Sequence, residues 1–191
     1  MISRDEALNL LRKYIKTENT VKHLMATEAI MKALARKFKP DKEEAWAMAG
    51  LLHDIDYETV DSETKEGHAK VSVEILKKEK VDLPESVLEA ILAHGYNLYP
   101  EYKPKNKMEW SLFICDSLTG LIVATTLVRP DKKLASVKVK SVMKKFKQKA
   151  FAAGTRREDI LLCKEHLGME LRDFVEISLQ AMQGVAEELG L

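Results

Sequence analysis

Six side chains that water would normally hold lie in stretches that favour burial, and no other feature constrains the fold as much. His23 sits within TVKHLMATEAIMKALA, an amphipathic helical pattern, and Asp116 within LFICDSLTGLIVATTLV, the most apolar run of the chain. His53 and Asp54 end EEAWAMAGLLHD, His68 opens EGHAKVSVEIL, and His94 ends ESVLEAILAHG. A core admits such groups only with partners. Taken singly, each histidine reads as a hydrogen-bonded core residue, and each aspartate as a cap or the partner of a lysine. Taken together, they require six separate local solutions. One shared cation is a common solution, because carboxylate oxygens and neutral imidazoles both donate lone pairs to a divalent metal.

The surrounding pattern is helical. Ser3 with Glu6, Asp41 with Glu44, and Thr155 with Glu158 match the capping box. Pro84 suits a first helical turn, and Gly95 and Gly168 suit helix ends. The spacing predicts helices near 3–16, 19–38, 41–54, 66–80, 84–94, 107–128, 134–149, 155–167 and 169–189. The stretch ASVKVKSV at 135–142 begins with strand-like alternation, but no partner strand exists for it and it is read as helix. Two loops stand out, the acidic 55–66 and the tyrosine-rich 95–106. No repeat, low-complexity tract or linker divides the chain. The expectation is an all-α, single-domain helical bundle over 1–191, with a site core at 19–128 and a C-terminal helical extension at 129–191.

Composition narrows the function. Hydrophobic residues at 46% and charged residues at 32% describe a globular chain. A net charge of +1 offers no global field for nucleic acid or a membrane surface. The run at 112–128 is interrupted by Asp116 and by hydroxyl residues, so it reads as a central buried helix and not a membrane span. Cys115 and Cys163 sit among leucines and isoleucines without CxxC spacing, which suits a reducing cytoplasm. The opening MISRDEALNL has no apolar signal-peptide region. Oligomeric state is not readable from this pattern.

The order H…HD…H…H…D, carried by His23, His53-Asp54, His68, His94 and Asp116, resembles the HD-domain superfamily of metal-dependent phosphohydrolases, and most of all its HDIG-related branch. The resemblance implies a pair of divalent ions, drawn from iron, manganese, nickel, cobalt, zinc or magnesium. His23, His53, Asp54 and Asp116 would hold the first, and His68 and His94 the second, with Asp54 bridging. It implies hydrolysis of a nucleotide or other small phosphorylated metabolite through metal-activated water, with Asp54 at the centre of catalysis. His53 and Asp54 are about 100° apart on a regular helix, so they converge only where the helix ends.

The chain departs from the family pattern in places. Asp56 replaces the glycine of HDIG, and Tyr57 stands where some dinuclear relatives place a lysine. Asp56 is the candidate proton-transfer residue; Glu58 is near but out of register. Phosphate charge is expected to meet the basic segment 129–149, where Lys144 and Lys147 share a helix face, with Arg156 and Arg157 opening the next helix. The plainer alternative is a solvated lysine face. Tyr96, Tyr99 and Tyr102 are read as local packing, and His166 as structural. Two other functions fit the same ligand set. One is a mixed-valent di-iron oxygenase resembling myo-inositol oxygenase, and the other is a non-catalytic module binding metal or nucleotide.

Overall fold

A computed structural model describes residues 1–191 and consists of ten α-helices joined by turns and short 3-10 segments, with no strand. Helix α1 (Arg4–Tyr14) opens on a complete capping box: Ser3 N donates to Glu6 Oε2 at 2.8 Å, and Glu6 N donates to Ser3 Oγ at 3.3 Å. It buries Ala7, Leu10 and Leu11. Helix α2 (Glu18–Phe38) has no side-chain cap; Glu58 instead pins the turn leading into it, accepting from Lys16 N and Thr17 N at 2.8 Å each. Helix α3 (Glu43–Leu52) buries every residue from Ala45 to Leu52, so it has no wet face and lies inside the molecule.

Helices α2 and α3 make the most extensive contact in the fold. Gly50 allows it. A Cβ there would stand 2.8 Å from Thr27 O and 2.9 Å from Glu28 Cα, so only glycine lets the two backbones approach this closely. That approach sets the end of α3 beside the middle of α2.

Helices α4 (Lys70–Lys78), α5 (Glu85–His94) and α6 (Lys107–Leu127) complete the half that carries the site. Helix α6 is long and apolar enough to span a membrane by length and composition, but it is mostly buried inside the molecule, as a core helix is. Three of its threonines are satisfied locally: Thr119, Thr125 and Thr126 each donate to the carbonyl four residues back. Asn106 caps it, accepting from Met108 N and Glu109 N. Tyr96 packs on Trp110 and Phe113, Tyr99 on Tyr102, and His166 stacks on Trp110 at 3.5 Å.

The remaining chain forms α7 (Val139–Phe146), α8 (Arg157–Leu161), α9 (Leu171–Gln183) and α10 (Ala186–Leu189). Helix α9 packs against α2, α6 and α7, and one cluster of 44 buried apolar residues runs through both parts of the chain.

Several expected boundaries move. The helix expected from 41 starts as a 3-10 turn at Pro40–Lys42, with Lys42 and not Asp41 at the α3 cap. Helix α4 begins at Lys70 because Gly67 and Ala69 both have positive φ, 81° and 69°. The segment expected as helix from 134 is a 3-10 turn, then extended backbone through Lys138. Gln183 Nε2 holds that bend by donating to the carbonyls of Leu134 at 3.0 Å and Val137 at 3.2 Å. The helix expected at 155–167 stops at Leu161 and continues as a π turn, and Gly168 closes it at φ 69°. Thr155 is not its cap. Its carbonyl accepts from Arg157, whose guanidinium also collects the carbonyls of Phe146, Gln148, Phe151 and Ala152.

Candidate metal centre

The six residues gather from five places. His23 comes from the first half of α2 and Asp116 from the middle of α6, while His94 is the last residue of α5. His53 and Asp54 follow the end of α3. There the hydrogen bonding tightens to Ile55 N on Leu52 O and Tyr57 N on Asp54 O, and the departure from regular pitch lets both side chains face one centre. His68 stands in the turn before α4.

They form two groups that share one residue: His23, His53, Asp54 and Asp116, and then Asp54, His68 and His94. In the first, His23 Nε2 is 2.9 Å from Asp116 Oδ1, and His53 Nε2 is 3.6 Å from both Asp116 Oδ1 and Asp54 Oδ1. In the second, Asp54 Oδ1 lies 3.1 Å from His94 Nε2 and 3.4 Å from His68 Nε2, and the two Nε2 atoms are 3.1 Å apart. Ligands bound to one ion through bonds of about 2.1 Å sit roughly 3 to 3.5 Å from each other, which is the spacing of the second group, while the distances in the first run from 2.9 to 3.6 Å.

Hydrogen bonds on the far side of each ring fix how the imidazoles point. His53 Nδ1 donates to Gly50 O at 2.9 Å, and His94 Nδ1 donates to Ile91 O. His68 Nδ1 donates to Asp56 Oδ1 at 3.0 Å. With a proton on Nδ1, each neutral ring turns an Nε2 lone pair inward. The consequence is a test of fit. Around Asp54 Oδ1 in the second group, three acceptors face one another with no donor between them. In the first, His53 Nε2 is fully buried and has no hydrogen-bond partner. A divalent cation satisfies both arrangements, so the donor set fits one.

Without a cation the charges settle differently. Burial opposes every charged form here, yet the hydrogen bond and charge of Asp116 raise His23 above 6.5, and the charge of neighbouring Asp54, then that of Asp116, raises His53 above 6.5. Burial likewise works to raise Asp54 and Asp116, but the facing histidines hold both below 3.8.

Asp56 stands elsewhere than expected. It is 0% exposed; Oδ1 accepts from His68 Nδ1, and Oδ2 accepts from Ala69 N at 2.9 Å. Both oxygens are committed behind His68, out of a substrate's reach, so the geometry gives Asp56 a positioning place and not one of proton transfer. Ser72 ties the same turn together, donating to His53 O at 2.8 Å and accepting from Asp56 N at 3.3 Å. Ala69 takes φ 69° and ψ −45°, near the rare γ-turn geometry. Gly95 makes room for it, since a Cβ on Gly95 would meet the Ala69 Cβ at 2.8 Å.

A cavity of about 420 Å³ opens on the first group, with His23 and Asp116 in its wall. Lys144 and Lys147 are exposed on and just after α7 and do not line it. The cation that does is Arg156, at the end of the loop Ala152–Thr155. Sequence reasoning passed over Ser117, Gly120 and that loop, because small residues carry no chemical signature.

Comparison with known proteins gives one match. A family model described as HD domain covers residues 20–121, without distinguishing the HDIG-related branch. No curated protein and no solved structure matches the chain.

Proposed function

The chain belongs to the HD-domain family of metal-dependent phosphohydrolases, and from that membership we propose that it hydrolyses a phosphate ester in a nucleotide or another small phosphorylated metabolite. The observation that carries the reading is Asp54, the one carboxylate common to two ligand groups, in which His53, His68 and His94 are fixed by backbone and Asp56 hydrogen bonds. Shared carboxylates are how paired ions are held at the few-ångström separation that ester hydrolysis uses. A bound divalent pair would supply Lewis acidity and an activated water.

The protein's own residues do the rest. Asp54 sits 7% exposed at the base of the site, where water is largely excluded and charge acts at short range. The backbone carbonyls of Gly50 and Ile91 and the carboxylate of Asp56 hold His53, His94 and His68 in one tautomer. Asp116 and His23 face the cavity and form the side open to substrate. Cys115 and Cys163 are free and buried, which supports the cytoplasmic reading.

The test is elemental analysis of the purified protein, followed by a phosphatase screen in the metals found. Turnover supported by manganese, magnesium, cobalt or nickel without oxygen is the expected result. Bound iron with a mixed-valent paramagnetic signal and no ester cleavage would overturn it in favour of oxygen chemistry.

A further inference from the structure

Two cavities meet at His23 and Gly120. The first, next to the ligand groups, contains Arg156 as its only lysine or arginine. The second, of about 450 Å³, is walled by Ala26, Val123, Ala124, Leu127 and Leu189, with Asn19 and Lys22 among its polar members.

Arg156 is held in place. Its Nε donates to Asp159 Oδ2 at 2.8 Å and its Nη2 to Asn97 Oδ1 at 2.9 Å, while Asn97 Nδ2 donates to the same Asp159 oxygen at 2.8 Å. Asp159 is itself buried, 5% exposed. This closed triangle, with Glu158 Oε1 3.8 Å from Nη2, fixes the plane of the guanidinium and leaves its Nη1 without a hydrogen-bond partner. A planar cation with one anchored edge and free N–H groups suits phosphoryl oxygens, and less side-chain entropy is lost when the group is already in place. Asn97 lies three residues after His94, so the triangle also fixes Arg156 relative to the second ligand group.

Gly120 is the other informative residue. It sits mid-helix in α6, where glycine is unfavourable relative to alanine. No neighbour demands it, since an added Cβ would meet nothing within 4 Å. The space it leaves is the junction between the two cavities.

We propose that the substrate spans both: Arg156 contacts its phosphoryl oxygens in the first cavity, and an apolar organic group passes Gly120 into the second. This rests on the phosphohydrolase reading and sharpens it to a class, phosphate esters with a predominantly apolar organic part. Arg156 is a substrate-contacting residue; Asn97 and Asp159 position it.

The experiment uses the full-length, metal-loaded protein, with thermal unfolding and metal content checked for each variant. In calorimetry with inorganic phosphate, Arg156→Gln weakens binding at least tenfold with metal content unchanged, Arg156→Lys recovers part of it, and Asn97→Ala falls between. Gly120→Val weakens inorganic phosphate binding less than Arg156→Gln does. It raises the KM for 1-naphthyl phosphate at least tenfold more than the KM for methyl phosphate. Full phosphate affinity in Arg156→Gln, or equal KM shifts for both esters in Gly120→Val, overturns the assignment. If the wild type cleaves neither ester yet binds 1-naphthyl phosphate, and both variants lose that binding, the hydrolase reading falls and this assignment stands.

Discussion

Asp54 Oδ1 is the atom on which both ligand groups depend, since His53, His68 and His94 all lie within 3.6 Å of it. Asp54→Asn should therefore deplete metal from both groups at once, whereas His68→Ala should deplete the second group first; elemental analysis of the two variants distinguishes them. Asp56→Asn should keep the fold while lowering affinity for the ion by roughly 10- to 100-fold, because it loosens His68 from behind. Isothermal titration with cobalt measures this.

The metal-free chain adds a pH signature at the same scale. His23 and His53, raised above 6.5, contribute stability that is complete below 6.5 and lost as pH climbs through their raised values. Asp54 and Asp116, lowered below 3.8, contribute stability present above 3.8 and lost as pH falls through their lowered values. With a chelator present, these pairs support the fold most between 3.8 and 6.5 and less on the alkaline side. With metal present the trend above 6.5 reverses, because binding requires neutral imidazoles. Thermal melts across pH, with and without chelator, check the opposing slopes.

At this scale the sequence was informative. The six residues were legible because each conflicts with its apolar surroundings. Asp56 was misplaced in role because a sequence does not show which side of a histidine a carboxylate occupies. Asn97 and Asp159 carried no signal, since their contact joins positions 62 residues apart.

Among the elements, the α2–α3 contact is the joint that matters. Gly50→Ala should destabilise the protein by about 1 to 3 kcal/mol through overpacking, and should also disturb the carbonyl that His53 uses. A lower Tm together with weaker metal binding is the expected pair of results. Gly120→Ala should do the opposite to stability, adding about 0.5 to 1 kcal/mol, since helix propensity improves and nothing obstructs the methyl group. Chemical denaturation measures both. Helix existence was legible from periodicity and caps, and boundaries less so. The bend at 134–138 answers to Gln183, and α4 starts late because Ala69 is held at positive φ by Asp56 and accommodated by Gly95, all long-range causes.

In the whole molecule, the family match ends at residue 121, while the cavity wall at 152–156 lies beyond it. Arg156 is held there by Asn97 and Asp159, and the backbone leading up to it is braced by its neighbour. Arg157 draws five backbone carbonyls between Phe146 and Thr155 onto its guanidinium. Lysine, with a single point of donation, cannot replace that fork. So one side of the cavity beside the ligand groups is supplied from beyond the family-matched stretch, and its backbone is braced by that fork. Unfastening it would loosen a rim of the cavity without touching His23, His53, Asp54 or Asp116 themselves.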